Sequence, residues 1–310
     1  MQIKETAKKT VYLFKETLHG FINDNCVKLS AALSYYTIFS LPPLLIIIVS
    51  ICGFFFGTLA VQGEIFWQIK DLVGNEAALR IQEAIKNVKL TSSNAFAAIF
   101  GVIILIFGAS GVFSEIQDSL NLIWGIEAKP KRSLIKFIQN RLVSFSMIGS
   151  LGFLLMVGLV INSLIEVLNK RLTLHFPKDA IYLFYIVNVI VVFIIITLLF
   201  IIIFKALPDG KIALRDCTIG ASFTALLFML GKFAIGAYLG SSAFTSVYGT
   251  AGSIILILIW VYYTANILYF GAEFTRAYAH THGQKIIPNE YSIRIEKRKI
   301  EIGSEDPAKA

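Results

Sequence analysis

The last apolar stretch of the chain carries a row of polar side chains at helical spacing. No charged residue occurs from Ala251 to Ala272, and this run is long enough to cross a bilayer as a helix. Steps of three and four residues place the following polar groups on one face of that helix: Tyr262, Asn266, Tyr269, Glu273 and Arg276. Inside a membrane, a polar face has to contact protein or water. Such a face offers hydrogen bonds and ion pairs to a polar or anionic ligand.

Two interpretations of the charged end of this row remain open. In one, Arg276 meets an anionic headgroup while aromatic and aliphatic side chains accommodate acyl chains. In the other, Glu273 and Arg276 pair with each other, because residues three apart on a helix are neighbours.

A second polar face follows the second apolar run of the chain. The helix that begins near Asn94 is predicted to continue beyond the membrane, with Gln117, Asp118 and Asn121 on one side. Together with the polar row of the last span, this face could line a cavity that opens towards the cytoplasm.

The first apolar run contains tyrosines, hydroxyl groups and two adjacent prolines. Its candidate site residues are Tyr35, Tyr36, Ser40, Pro42 and Pro43. A proline inside a helix removes a hydrogen-bond donor, so we expect a kink or a break there. Ser40 or Thr37 would then bond some of the freed carbonyls. The kink is either a packing device or part of a gate or binding site.

Residues suited to catalysis or metal binding are sparse. Of the four histidines, only His280 and His282 are close in sequence, and an i, i+2 pair points to different faces of a helix. The chain contains neither a Gly-x-Ser-x-Gly motif nor a Walker loop. We therefore expect no catalytic residues, no metal site, no cofactor and no enzymatic activity.

Composition indicates a membrane protein. The chain is 56% hydrophobic and only 15% charged, with a mean hydropathy of +0.72. Soluble proteins carry about 25% charged residues. The three cysteines lack CxxC spacing, which argues against a disulfide framework or a zinc site. The net charge of +8 does not indicate nucleic-acid binding, because the basic residues lie beside the apolar runs.

These runs predict an all-α polytopic membrane protein with six transmembrane helices and additional amphipathic interfacial helices. The predicted spans are residues 29–57, 94–113, 142–164, 180–204, 214–239 and 249–272. An amphipathic segment precedes them over residues 1–28, and the membrane domain covers 29–276. A polar tail follows over residues 277–310, and we expect it to be flexible beyond Pro288.

Basic residues orient the predicted spans. With the N-terminus inside, the inner segments hold 20 of the 28 lysines and arginines. This bias obeys the positive-inside rule, and six crossings return the C-terminus to the cytoplasm. We therefore expect a multi-pass membrane protein with both termini in the cytoplasm.

Small residues predict where helices approach closely. The candidate packing positions are Gly108, Gly111, Gly249, Gly252 and Ser253.

The N-terminal segment has an apolar stripe that includes Val11, Phe14 and Leu18, with lysines largely off it. It either lies at a membrane surface, with its lysines towards anionic headgroups, or packs on the protein's own loops.

Four motifs along residues 15–282 resemble the YihY/BrkB family of bacterial inner-membrane proteins. They are Ser34-Tyr-Tyr-Thr-Ile-Phe-Ser-Leu-Pro-Pro, Gly108-Ala-Ser-Gly-Val-Phe-Ser-Glu-Ile-Gln-Asp-Ser-Leu-Asn-Leu-Ile-Trp124, Leu207-Pro-Asp-Gly, and the stretch from Tyr248-Gly-Thr-Ala-Gly-Ser to Phe270-Gly-Ala-Glu-Phe-Thr-Arg276. The resemblance implies a protein with six spans in the bacterial inner membrane. Members carry labels such as "virulence factor" and, historically, "ribonuclease", and some have been proposed to move lipids or related envelope molecules.

Two functions fit this pattern. The favoured one is transport of a lipid or other anionic envelope amphiphile through a cavity facing the cytoplasm, with membrane lipids as partners. Since no ATP site is present in the chain, active transport would need a gradient or another subunit. The alternative is a non-transporting scaffold or regulator of envelope assembly, which binds a second copy or an assembly partner through its small-residue faces.

Overall fold

The computed structural model describes residues 2–56, 62–63, 66–67, 78–79, 82–83, 95–128, 178–241 and 251–296. These residues contain six long helices: α1 Gln2–Asn23, α2 Cys26–Phe56, α3 Ala95–Trp124, α4 Lys178–Ala206, α5 Leu214–Ser241 and α6 Ala251–His282. They also contain four short strands: β1 Ile126–Ala128, β2 Gly210–Lys211, β3 Ile287–Pro288 and β4 Ser292–Arg294. Strand β1 pairs antiparallel with β4, and β2 with β3. The all-α prediction therefore has to be corrected to a mostly helical protein with two small β pairings.

Three helical stretches among the described residues are long and apolar enough to cross a membrane. They are Val189–Ala206 in α4, Leu214–Lys232 in α5 and Ile254–His282 in α6. The predicted spans 29–57 and 94–113 fall largely on α2 and α3. The predicted span 142–164 lies outside the described residues, as does Gly249.

The first helix ends because one residue takes up the left-handed conformation. Asn25 has φ of 53°, a value that asparagine tolerates better than most residues. Its N–H bonds the carbonyl of Ile22, and Lys28 N–H bonds the carbonyl of Asn25 as α2 begins. The turn at residues 24–25 thus separates α1 from α2.

The two prolines do not break α2, which is helical from Cys26 to Phe56. The Thr37 hydroxyl donates to the carbonyl of Leu33 one turn back, rather than to a carbonyl freed by proline. Pro43 instead packs closely on α3, where a Cβ on Gly108 would lie 2.9 Å from its ring. Of the predicted kink or break, the break is wrong, since the helix is uninterrupted through both prolines, and the kink stays a prediction.

Helix α1 packs lengthwise and antiparallel on the last turns of α6. Phe14 contacts Phe274, and two turns later Phe21 contacts Phe270. The buried face of α1 consists of Leu13, Thr17 and Gly20. The predicted apolar stripe is on a different face: Val11, Phe14 and Leu18 remain exposed. One face of the segment thus packs on the protein, as the second interpretation holds. Contact of the exposed stripe residues with a membrane surface stays a prediction.

Helices α5 and α6 approach closely through reciprocal glycine–threonine contacts. A Cβ on Gly220 of α5 would collide with Thr275 of α6, and a Cβ on Gly271 of α6 would collide with Thr224 of α5. Both threonine hydroxyls are buried and bond carbonyls of their own helices. The seam therefore depends on the absence of side chains at the two glycines.

The chain beyond Arg276 is more ordered than predicted. Helix α6 continues to His282, and β3 and β4 follow within residues 283–296. The backbone N–H of Ile295 also bonds the carbonyl of Gly125 at 2.8 Å. The expectation of flexibility beyond Pro288 does not hold up to Ile295, because the pairing of β4 with β1 and the bond of Ile295 to Gly125 hold this backbone.

Candidate functional site

A cluster of charged side chains joins α1, α2, α3 and α6. Glu273 is completely buried, and its Oε2 lies 2.7 Å from Nη2 of Arg276. The other end of the guanidinium, Nη1, lies 2.9 Å from Oδ2 of Asp24 in the α1–α2 turn. The Cys26 thiol at the start of α2 completes the group, 3.8 Å from Oε1 of Glu273. We refer to Asp24, Cys26, Glu273 and Arg276 as the charged cluster.

The charged cluster includes the i, i+3 pair anticipated for Glu273 and Arg276. Their contact is an ion pair rather than a directed hydrogen bond, because Oε2 of Glu273 has no partner at hydrogen-bond angles within the described residues. Arg276 Nη1 also donates to the main-chain carbonyl of Ile123. One guanidinium therefore serves two carboxylates and a carbonyl at the end of α3, and it is engaged in holding the frame.

The close approach of α1 to the charged cluster requires a glycine. A Cβ on Gly20 would lie 2.5 Å from Oε2 of Glu273 and 2.6 Å from Nη2 of Arg276. Real Cβ atoms do not approach so closely, so a side chain here would displace the ion pair. Gly20 thus determines how near α1 can lie to α6.

A second cluster holds the loop between α4 and α5. Asn121 Nδ2 donates to Oδ2 of Asp209 at 2.9 Å, and Asp209 N–H donates to Oδ1 of Asn121 at 2.8 Å. Gln117 Nε2 donates to Oδ1 of the same carboxylate at 3.3 Å. The Ser292 hydroxyl donates to the carbonyl of Asp209 at 2.7 Å. We refer to Gln117, Asn121, Asp209 and Ser292 as the Asp209 cluster.

The Asp209 cluster shows what the predicted polar face after the second apolar run contacts. Gln117 and Asn121 are buried and face the loop, whereas Asp118 is exposed. Trp124, one turn further, donates its Nε1–H to the carbonyl of Ala272 at 3.3 Å. The end of α3 is thereby fixed to both the loop and α6.

The middle of α6 is less completely paired. Asn266 is half-buried, and its Nδ2 donates to the carbonyl of Tyr262 one turn back at 2.7 Å. The side chain of Tyr262 is 36% exposed. Tyr269 is fully buried, and its hydroxyl has no hydrogen-bond partner within the described residues. The predicted polar row is therefore split between a buried charged end and a partly exposed central part.

The candidate residues of α2 do not converge on one site. Tyr35 and Tyr36 are exposed and form an aromatic group with Phe39. The ring centroid of Tyr35 lies 5.8 Å from that of Tyr36 and 4.9 Å from that of Phe39. Ser40 is buried on the other side, where a Cβ on Gly111 would lie 3.0 Å from its hydroxyl. The two tyrosines thus lie on the outer surface of the described helices, and Ser40 belongs to the contact with α3. The contacts of Pro42, Gly252 and Ser253 lie outside the described part.

The sequence predicted only two of the four residues in each cluster: Glu273 and Arg276 in the charged cluster, and Gln117 and Asn121 in the Asp209 cluster. Asp24 and Cys26 are separated from Glu273 by most of the chain, so no spacing rule connects them. Asp209 had a signal, since Leu207-Pro-Asp-Gly is one of the four motifs, but the motif alone does not name the amide groups that it meets. Among the described residues, no group of three or more His, Cys, Asp or Glu side chains is placed to hold a metal ion.

The long apolar helices and their buried polar clusters define a helical integral membrane protein. The chain belongs to the family described as "Virulence factor BrkB", which matches residues 17–294 and confirms the resemblance in the motifs. No solved structure matches the chain.

Several curated relatives are similar over most of this chain. A UPF0761 membrane protein of Saccharophagus degradans is 26% identical over 278 residues, covering 87% of this chain and 60% of the relative. One from Stenotrophomonas maltophilia is 25% identical, covering 89% of this chain and 63% of the relative. This chain thus spans about three fifths of the length of these relatives. A Bacillus subtilis protein called "Putative ribonuclease-like protein YfkH" is 28% identical, covering 84% of this chain and 92% of the relative.

Proposed function

We propose that this protein moves a lipid or another anionic envelope amphiphile through a cavity in its helical bundle that opens to the cytoplasm. The observation that carries the proposal is the half-buried Asn266 near the middle of α6, a helix of 32 residues. Its bond to Tyr262 uses its own helix and leaves most of the capacity of the amide unused. An amide at this depth needs protein or water beside it rather than lipid.

The clusters give this cavity a rigid base. Arg276 forms ion pairs with Glu273 and Asp24, so in this proposal it holds the helices together and does not bind the substrate. The central face with Tyr262 and Asn266 remains as the candidate wall. In this proposal Tyr262 supplies an amphipathic ring and Asn266 supplies hydrogen bonds to a headgroup.

Reconstitution tests this function. Proteoliposomes with the full chain are loaded with fluorescent anionic and zwitterionic lipids, and dithionite quenching reports the movement of each lipid between leaflets. We expect Asn266→Leu to abolish movement of the anionic lipid while Asn266→Gln, which retains the amide, preserves it. Equal insertion and monodispersity of both variants provide the control. Failure of the wild-type protein to move any labelled lipid under an imposed ion gradient would refute transport.

A scaffold function is the second candidate, and the surface of α2 favours it. Tyr35, Tyr36 and Phe39 form an exposed aromatic group on a helix that packs closely on its other side. Aromatic side chains are enriched at binding interfaces. Photo-crosslinking from a probe at Tyr36 distinguishes the two functions. A single protein adduct, together with undiminished lipid movement by the Asn266→Leu variant, would favour the scaffold. Lipid adducts would favour transport.

We propose no enzymatic role, although one relative bears a ribonuclease-like name. Incubation of RNA with the purified full chain across a series of divalent metals tests this directly. Metal-dependent cleavage that follows the protein through gel filtration would overturn the proposal.

A further inference from the structure

A cleft lies where the beginning of α1 meets the end of α6. Lys8, Lys9 and Tyr12 form one side, and Thr281 and His282 form the other. Its volume is about 340 Å³. Small-molecule sites have volumes of about 300–1,000 Å³, so the cleft is large enough for a polar headgroup.

The lining of this cleft is suited to an anion. Two of its five lining residues are lysines, one is a tyrosine, and none is acidic. His282 is positioned by its neighbours: its ring stacks on Tyr278 with centroids 5.0 Å apart, and its Nδ1 lies 2.7 Å from the Thr281 hydroxyl. This arrangement leaves Nε2 as the ring nitrogen that Thr281 does not engage.

Charges around the cleft have the same sign on balance. His280 directly precedes the lining residue Thr281, and it is acted on electrostatically by Arg294, Arg276 and Lys285 and by the acidic Glu16. A second carboxylate, that of Asp216, accepts a hydrogen bond from the backbone N–H of Gln284 beside the cleft. Positive charge therefore extends beyond the lining itself. A phosphate group entering here would gain from the surrounding field as well as from direct contacts.

An exposed apolar row begins beside the cleft and follows α1 away from it. Val11, Leu18 and Ile22 are 68%, 53% and 64% exposed. Phe14, also exposed, contacts Phe223 at a centroid distance of 5.7 Å. Phe223 belongs to Leu214–Lys232, which is apolar and long enough to span a membrane. The row thus leads from the cationic cleft towards the membrane-spanning part of the protein.

We propose that this cleft binds the phosphate-bearing headgroup of an anionic lipid of the surrounding leaflet, with an acyl chain lying along the apolar row of α1. Lysine ammonium groups attract anionic headgroups, and exposed apolar side chains on the adjoining face are matched by hydrocarbon. The inference does not rest on the transport proposal, because it concerns residues of α1 and the end of α6 that are separate from Asn266.

Lipid binding by the purified full chain tests the site. Fluorescent phosphatidylglycerol and phosphatidylcholine are titrated in neutral detergent micelles, with inorganic phosphate as a competitor. We expect Lys8→Gln/Lys9→Gln to weaken phosphatidylglycerol binding by about tenfold or more, since each lysine near a membrane surface contributes about 1 kcal/mol. The matched control, Lys28→Gln/Lys211→Gln, removes the same charge at exposed positions outside both the cleft and α1, and should leave the affinity unchanged.

Three results would overturn the proposal. Equal losses in both double variants would show a diffuse electrostatic effect. Equal affinities for phosphatidylglycerol and phosphatidylcholine would show that the site does not select for the negative charge of the headgroup. Displacement of the lipid by millimolar inorganic phosphate would indicate a site for a soluble anion. Because all of these lysines are exposed, gel filtration and circular dichroism should show every variant folded, so each result bears on the site.

Discussion

Arg276 contacts three separate parts of the chain with one side chain. It reaches Glu273 on its own helix, Asp24 in the α1–α2 turn and the carbonyl of Ile123 at the end of α3. Its planar guanidinium with several donors suits this task better than the single ammonium of a lysine. The side chain is 27% exposed, whereas those of Asp24 and Glu273 are only 11% and 1% exposed. Loss of the ion pairs would therefore cost the buried carboxylates more than the partly hydrated guanidinium.

We predict that Arg276→Met destabilises the protein by about 3 kcal/mol or more, since removing one partner of a buried ion pair leaves uncompensated charge. The measurement is the thermal denaturation midpoint in detergent, followed by the yield of monodisperse protein. Adding Glu273→Gln and Asp24→Asn to Arg276→Met should recover part of the loss. Arg215→Met, at an exposed arginine of α5, is the control and should change little. An equal effect from both arginine variants would contradict the structural role of Arg276.

Gly20→Ala probes the same cluster through steric contact. The added methyl group would meet Glu273 and Arg276 at 2.5 Å and 2.6 Å. We predict a lower denaturation midpoint and weaker packing of α1, detected as faster amide hydrogen exchange over residues 8–23. Gly63→Ala is the control, because a Cβ there meets no atom within 4 Å. Unchanged exchange in Gly20→Ala would mean that α1 can shift without loss of packing.

At the scale of elements, the strands and the Asp209 loop hold the segment after α6 in place. We refer to these contacts as the latch. Strand β4 pairs with β1 after α3, and β3 pairs with β2 after the loop. Asn289 N–H and the Ser292 hydroxyl both donate to the carbonyl of Asp209. The segment after α6 is therefore tied to both the α3 end and the α4–α5 loop.

We predict that Asp209→Ala opens this latch without unfolding the helices. Asn121 and Gln117 would lose their charged acceptor, at a cost of about 1.5–3 kcal/mol for each hydrogen bond to a charged group. Hydrogen exchange should accelerate in residues 286–295 and 125–128 while that of α4 and α5 remains slow. Glu127→Ala, an exposed position on β1, is the control. Exchange that rises equally throughout the chain would indicate global destabilisation instead of a latch.

At the scale of the whole molecule, long helices with apolar outer surfaces converge on a polar base. The exposed residues of α4 are mainly aliphatic, as expected for a helix in lipid: Ile186, Val189, Ile190, Val192, Ile194 and Leu198. The charged cluster, the Asp209 cluster and the cationic cleft all involve the loops and helix ends at which α6 finishes. The molecule is thus apolar along the helices and polar where several of them end together.

We predict that this polar end faces the cytoplasm. Reporter fusions at the N-terminus and C-terminus should both be active on the cytoplasmic side, since 20 of the 28 lysines and arginines are assigned to segments on that side. A cysteine introduced at Glu290, in a variant lacking native cysteines, should resist an impermeant maleimide in whole cells and react after permeabilisation. Labelling of this cysteine in intact cells would reverse the orientation.

The sequence was most informative where the pattern lies within a single helix. Apolar runs located α2, α4, α5 and α6, and the i, i+3 spacing anticipated the pair of Glu273 and Arg276. It was least informative where residues distant in sequence meet. The pairing of β1 with β4 spans more than 160 residues, and no periodicity connects such short strands.

The chain by itself determined that this protein is helical and apolar enough for a membrane, because hydrophobicity and helical periodicity are local properties of neighbouring residues. It also placed the polar row on one face of α6. Only the tertiary structure decided what each polar group contacts. Arg276 could have met a ligand, but the α1–α2 turn brings Asp24 to it. Val11 could have packed inside, but the buried face of α1 is the one with Leu13, Thr17 and Gly20. These outcomes depend on the shapes and charges of partner surfaces that are distant in sequence, so they arise only when the helices pack.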